Sequence, residues 1–410
     1  MIETNPTIYW LWLEMIFGVA NVKLHDLIER EGGVQPLYYA LHDPDSALLK
    51  EKERQKLRKT PLEQAKKIME YCNQHQIGII TWDDALYPER LQQIYNPPVV
   101  LFYRGNPALL QEGMLLTCVG TRHPSEYSRK VADWICTDLA RCNITICSGC
   151  AAGLDAVSHW AAVRQNTPTI AVLGCGVDFD YPKENRELKN RIVQNGLLLS
   201  EYFPGTQPFP ANFPVRNRIL AGIGEAVLVL EANSRSGSLI TANLAVEQGK
   251  SVFCIPPADL FDKRYSGVVS FLRDGAYPVF NHLDVLYAFY LKYPHKLSLY
   301  DEEDASRTED SLLFAEEKPR RVRRVRKESE RSAPEPQESP KPYAFPEEAN
   351  EQQRRILALL KDGAQNINAV CVMLGTSFEM TSMLMMEMEM LGWIVNTERD
   401  LFALPEGSET

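Results

Sequence analysis

The stretch Ile144-Thr-Ile-Cys-Ser148-Gly-Cys-Ala-Ala-Gly153-Leu-Asp155-Ala-Val-Ser-His159-Trp-Ala-Ala-Val163, with Thr169-Ile-Ala-Val-Leu173-Gly-Cys-Gly176 shortly after it, decides how the chain folds. It opens on a short apolar run (Ile144–Ser148), turns through a glycine- and alanine-rich loop, continues at helical spacing from Leu154 to Val163, and ends in a second apolar run, Thr169–Leu173. That is one β-α-β unit. The alternation extends in both directions, with apolar runs at Ile77–Thr81, Val99–Tyr103, Leu115–Val119, Leu197–Ser200, Ala226–Glu231 and Ser251–Ile255, and helical stretches at Ser128–Leu139 and Leu239–Gln248. The pattern predicts a doubly wound parallel sheet.

Outside this region the periodicity changes. Residues 1–72 read as a small helical module, with Leu11, Leu13 and Ile16, then Val22, Leu24, Leu27 and Ile28 at helical spacing, punctuated by Gly18 and Gly32-Gly33. The sheet region covers 76–290. Residues 291–345, with an acidic start, the basic run Lys318–Lys327 and four prolines from Pro334 to Pro342, read as a linker. From 346 to 410, helices at Glu348–Leu360, Ile367–Met373 and Phe378–Leu391 followed by strands at Trp393–Val395 and Leu401–Leu404 predict a winged helix-turn-helix.

Composition sets outer limits. With 410 residues, 45% of them hydrophobic and 24% charged, the chain has ordinary globular composition, which excludes collagen-like and wholly disordered classes. No apolar run approaches the roughly 18 residues of a membrane span, and the apolar start Ile8–Phe17 is flanked by Glu3 and Glu14 instead of the basic residues of a signal peptide. A cytoplasmic protein without membrane partners is expected. Its nine cysteines, odd in number and scattered, fit a reducing compartment, and Cys147-Ser-Gly-Cys150 has no second pair to complete a zinc site.

Net charge is −10, but 98–290 carries as many Lys and Arg as Asp and Glu, so a nucleic-acid surface would have to lie there. Loops leaving the C-terminal ends of parallel strands share one edge, where helix N-termini offer backbone N–H groups to anions. Three such loops are rich in glycine and serine: Ser148, Gly149 and Gly153 in the first, Gly174 and Gly176 in the second, Ser236, Gly237 and Ser238 in the third. Arg122, Lys183, Arg216 with Arg218, and Arg235 fall at the same edge. Together they predict a phosphate-binding groove. Gly249-Lys250-Ser251 imitates the tail of a P-loop, but Leu244 stands where its first glycine belongs, so that route to ATP is excluded; no G-x-G-x-x-G is present either. Asp155, His159 and Glu231 could sketch an acid/base site, yet no nucleophile is presented with both a base and an orienting acid.

Taken in order, Ser148-Gly-x-Ala-x-Gly-Leu-Asp155 with His159, Thr169–Gly176, Tyr181-Pro182, Ser200-Glu-Tyr202, Phe213-Pro-x-Arg-Asn-Arg-Ile219 and Glu231-Ala232 with Ser236-Gly-Ser-Leu-Ile-Thr-Ala242 closely resemble the DNA-processing protein A (DprA/Smf) family. The resemblance implies an α/β fold: an extended Rossmann-like, doubly wound, mostly parallel sheet with an N-terminal small helical (SAM/HhH-like) module and a C-terminal winged helix. It implies a non-enzymatic homodimer, without a cofactor, that binds and protects incoming single-stranded DNA and loads RecA recombinase onto it in natural transformation. By position, the family's DNA-contacting cations match Arg122 and Lys183, with Arg216 and Arg218 close by. Where the family usually has Arg in its first loop this chain has Ala152, Pro256-Pro257 replaces Pro-Gly, and Gly267-Val-Val269 replaces Gly-x-Asn. The rival expectation is a nucleotide phosphoribohydrolase of the lysine-decarboxylase-like group, whose Pro-Gly-Gly-x-Gly-Thr run is replaced here by Ser234-Arg-Ser-Gly-Ser238.

The third helix of the expected winged helix is a poor DNA reader. No Lys or Arg occurs from Gly363 through Asn396, and Glu379, Glu387 and Glu389 lie on or beside that helix. Met380, Met383, Leu384, Met385, Met386, Met388 and Met390 instead suggest an adaptable protein-binding face.

Overall fold

The computed structural model describes residues 5–43, 47–111, 113–293 and 296–297, then 349–361, 363, 365–374, 381, 384–385, 388–389, 391, 393–396 and 401–405. The chain divides into two compact units, the first ending at Ala315 and the second beginning at Glu316.

In the first unit five helices come before the sheet: α1 (Thr7–Phe17), α2 (Leu24–Glu31), α3 (Val34–His42), α4 (Glu51–Lys59) and α5 (Leu62–Gln74). There follow β1 (Gly78–Thr81), α6 (Glu89–Gln92), β2 (Val100–Gly105), β3 (Met114–Val119), α7 (Glu126–Arg141), β4 (Ile144–Ser148), α8 (Leu154–Arg164), β5 (Thr169–Val172), α9 (Arg186–Asn195) and β6 (Leu197–Ser200). The unit closes with α10 (Asn212–Ile223), β7 (Ala226–Val229), α11 (Ser238–Glu247), β8 (Ser251–Cys254), α12 (Ser266–Arg273), β9 (Tyr277–Pro278) and α13 (His282–Tyr290). The expected strands are found within two residues of their predicted bounds.

These strands form one sheet in the order β1-β2-β6-β5-β4-β3-β7-β8-β9. From β6 to β9 all neighbours are parallel, whereas β2 runs antiparallel to both β1 and β6. Every residue of β3, β4, β5, β6 and β7 is buried. Continuous burial is what a parallel sheet covered by helices on both faces demands, and it explains why these segments read as unbroken apolar runs instead of alternating ones. The helices α1–α5 are joined to this sheet by a shared core: Leu11, Trp12, Leu13 and Leu37 belong to one apolar cluster with Val100, Phe102 and Val177.

One feature of the topology positions the site. β3 leads through α7 to β4 on one side, while β7, on the other side of β3, is reached from β6 through α10. The winding therefore reverses between β3 and β7. Loops leaving a reversed pair diverge, and a crevice opens at the C-terminal edge of the sheet.

In the second unit, helices Glu351–Lys361 and Ile367–Leu374 accompany a three-stranded antiparallel sheet of β10 (Gln365–Asn366), β11 (Val395–Asn396) and β12 (Leu401–Ala403) in the order β10-β12-β11. Met385 and Met388 are fully buried in its core with Ile356, Leu357 and Val370, so these two are packing residues and not part of a binding face. Met380, Met383, Met386, Met390, Glu379 and Glu387 lie outside the described residues, as do Lys318–Lys327 and nearly all of the expected linker.

Candidate nucleic-acid interface

A cleft of about 400 Å³ occupies the crevice. One wall is the turn after β3, Gly120 to His123; the other is the turn after β7, Asn233 to Ser238; Phe213, Arg216 and Asn217 of α10, Ala151 of the β4–α8 loop and Asp155 in the first turn of α8 form the floor. Two exposed cations, Arg122 and Arg235, stand on opposite walls.

The β3 turn is clamped at both ends. Thr121 N donates to the Glu231 carbonyl at 3.0 Å, and Leu154 N donates to the Thr121 carbonyl at 3.1 Å. Gly153, with φ +83°, is required here because a Cβ would lie 2.4 Å from the Thr121 carbonyl oxygen. The Glu231 carboxylate accepts from Ser125 N at 2.9 Å and Ser125 Oγ at 2.6 Å, and Ser125 caps α7 by accepting from Ser128 N at 3.0 Å. Tyr265 Oη, 2.8 Å from Ser125 Oγ, joins the same cluster. Arg122 thus rides on a rigid turn with its guanidinium over the Phe213 ring, 5.4 Å from the centroid.

Lys183 is exposed at the start of a short 3₁₀ turn, Lys183–Asn185. Asn185 fixes that turn to the first glycine loop by donating from Nδ2 to the carbonyls of Cys150 and Ala151, both at 3.0 Å. On the opposite wall Ser236 Oγ and Ser238 Oγ are 2.7 Å apart, and Gly237 has open space where a side chain would be.

Several sequence-predicted residues have other work. Arg216 and Arg218 lie within α10, not before it, and both are buried. Arg216 donates from Nη1 to the carbonyls of Gly149, at 3.1 Å, and Val172, beside the buried Asp155. Burial lowers the Arg216 pKa and raises that of Asp155, while each charge favours the ionised form of the other. Arg218 makes a two-pronged ion pair with Glu201, Nη1 to Oε2 at 2.8 Å and Nη2 to Oε1 at 2.5 Å, and donates from Nε to the Asn96 carbonyl at 2.8 Å. The Arg218 guanidinium is committed on both prongs and at Nε, and Arg216, on the cleft floor, is committed through Nη1 and through Nε, which donates to Asn217 Oδ1 at 3.2 Å. Ser148 donates its hydroxyl to the Cys118 carbonyl at 2.6 Å, and a Cβ at Gly149 would meet Arg216 Nη2 and Asp155 Oδ2, both at 2.7 Å. Gly174 packs under the Phe213 ring and Gly176 against Asp178 and Gly205. These glycines and this serine build the floor from behind without lining it.

The sketched acid/base site also comes apart. His159 is fully buried with Nδ1 2.7 Å from Thr169 Oγ1, and burial pushes its pKa down to about 3. Glu231 faces Ser125, away from the cleft. Lys250 donates to the carbonyls of Ala221, Gly222 and Gly224 at 2.9, 2.5 and 2.7 Å, closing the end of α10. Among the described residues no group of three or more His, Cys, Asp or Glu could hold a metal, and no helix is long and apolar enough to cross a membrane. Phe213 was quoted in a motif but not foreseen as part of the site; the signal was an aromatic three residues before Arg216.

Residues 78–290 match the family described as DNA recombination-mediator protein A. The chain is 38% identical over 209 residues to the DNA processing protein DprA of Bacillus subtilis (strain 168), covering 51% of this chain and 70% of that one. It is 42% identical over 206 residues to the DprA of Streptococcus pneumoniae (strain ATCC BAA-255 / R6), covering 50% and 72%. The X-ray structure of DNA processing protein A from Streptococcus pneumoniae is similar with a TM-score of 0.62 at 34% identity, over 70% of this chain and 98% of that chain.

Proposed function

The chain belongs to the DNA recombination-mediator protein A family, and from this premise we propose that it binds single-stranded DNA across the C-terminal edge of its sheet. The observation that carries the reading is the placement of exposed Arg122 and Arg235 on facing walls of the cleft, with Lys183 on a turn pinned to the adjoining loop. Cations spaced along a groove track a phosphate backbone without reading its sequence. The Arg122–Phe213 pair adds an aromatic surface at the same place.

The wider role we propose is that of the family: protecting incoming single strands and loading RecA recombinase onto them in natural transformation, as a cytoplasmic homodimer without catalysis or cofactor. In this reading the first 72 residues form a SAM/HhH-like module, 291–345 a linker, and 346–410 a winged helix. Lacking Lys and Arg from Gly363 through Asn396, that last module binds something other than duplex DNA. The phosphoribohydrolase reading is disfavoured because Glu231, the carboxylate it would need, is spent on Ser125.

Gel shifts of the full chain with oligo-dT over a salt series test the reading. Log K should fall linearly with log salt, with a slope of about −0.7 per phosphate neutralised, and a chain ending at Leu299 should keep most of its affinity. Salt-independent binding, or none, would end it; release of free base from AMP, abolished in Glu231→Gln, would restore the enzymatic alternative.

A further inference from the structure

Among the described helices of the first unit, α4 alone has no buried residue. Its nine residues are fewer than the roughly 12 an isolated helix needs, so it is held from its ends. Glu53 accepts from Lys50 N at 2.7 Å, Trp12 Nε1 donates to the Thr60 carbonyl at 2.6 Å, and Leu57 packs half-buried against the N-terminal core.

What this anchored helix presents to solvent is mainly positive charge, with Glu51 in its first turn the one exposed carboxylate. Lys52, Lys56 and Lys59, spaced i, i+4, i+7, share one face and are all exposed. Among the described residues no carboxylate comes within ion-pairing distance of any of the three, Lys56 acting on the buried Glu14 only through space. The helix dipole favours cations in the last turn but opposes Lys52 in the first, and the three like charges repel one another. A polyanion would relieve both.

The position of α4 suggests which one. α5 follows directly, and near its far end Tyr71 donates its hydroxyl to Asp178 at 3.0 Å, in the loop that leads from β5 to Lys183. At 1.5 Å per residue, the length of α5 separates α4 from that loop by roughly 20 Å.

We infer that a single strand held at the sheet edge continues past Lys183 along α5 to α4, where Lys52, Lys56 and Lys59 take phosphates of nucleotides outside the cleft. The inference rests on the function proposed above. Its test compares the full chain with the Lys52→Gln, Lys56→Gln, Lys59→Gln triple variant, glutamine being an equally good helix former. Binding is measured over a salt series with oligo-dT of about six and about twenty-five nucleotides, the first near the short end of usual site sizes and the second well beyond their long end. On the longer strand the variant's slope should be shallower by about 2, which is three phosphates at 0.7 each; on the shorter strand it should be unchanged. Identical slopes on the longer strand overturn the inference, and so does an equal loss on both lengths, which would place the effect in the cleft. Failure of the unaltered protein to bind either strand would instead overturn the function proposed for the cleft.

Discussion

Arg122 and Arg235, on the turns that wall the cleft, and Lys183, on the turn pinned to the adjoining loop, form an exposed rim, whereas Arg216 and Arg218 come from α10 and are buried. The rim cations have unspent hydrogen-bonding capacity and a low desolvation cost on meeting a phosphate. The two in α10 have already exchanged water for carbonyl and carboxylate oxygens. Cations of the same sheet edge are thus free for a ligand in one region and committed to architecture in the other, and burial decides which.

The comparison breaks first at Arg218. Arg218→Met leaves the Glu201 carboxylate buried and unpaired, which should cost about 3 to 5 kcal/mol; urea unfolding that matches the unaltered protein would mean the pair is not structural. His159 gives a second large effect, in acid. Its folded pKa of about 3 lies below the ordinary value near 6.5, so the unfolded chain binds its proton more tightly. That contribution to stability is complete above pH ~6.5 and is lost as pH falls toward 3. Unfolding followed from pH 7 to pH 4 should show the loss, with a shallower dependence in His159→Gln.

Glu14 titrates in the opposite sense. Burial, with Glu201 beside it, raises its pKa well above the ordinary value, so the stability it confers is present at low pH and fades as pH rises through the raised pKa. Glu14→Gln should therefore gain stability relative to the unaltered protein as pH rises from the ordinary carboxyl range through the raised pKa, and a constant difference across pH would refute this. The smallest effects belong to the rim. Arg122→Ala, Lys183→Ala and Arg235→Ala should each leave stability within about 0.5 kcal/mol while flattening the salt slope by about 0.7. A rim variant that unfolds early, or one that leaves the slope untouched, would place that residue on the wrong side of the comparison.

The sheet was legible because a parallel strand covered on both faces must be apolar throughout, and Ile144–Ser148 or Ala226–Val229 can hardly be read otherwise. The antiparallel turn of β2 was not, since Val100–Phe102 is as apolar as its parallel neighbours and strand direction leaves no mark on composition. In the site, Arg122 and Arg235 were readable from position alone, each following a strand at the C-terminal edge. The burial of Arg216 was not readable, because its partners are the backbone carbonyls of Gly149 and Val172. Carbonyls are present at every residue, so sequence does not reveal which ones converge. The partner of Arg218, Glu201, was in view as part of Ser200-Glu-Tyr202, but nothing local ties two residues seventeen apart.

The amide of Asn185 holds the Lys183 turn against the carbonyls of Cys150 and Ala151 through the protein's own hydrogen bonds. In kinetic terms such a turn has nothing to wait for. If the proposed strand binds at this edge it meets a cation already set, so its association should be governed by electrostatic steering rather than by a loop closing over it. Added salt should slow arrival before it hastens departure, and Asn185→Ala, which frees the turn without removing a charge, should lower the association rate and leave its salt dependence intact.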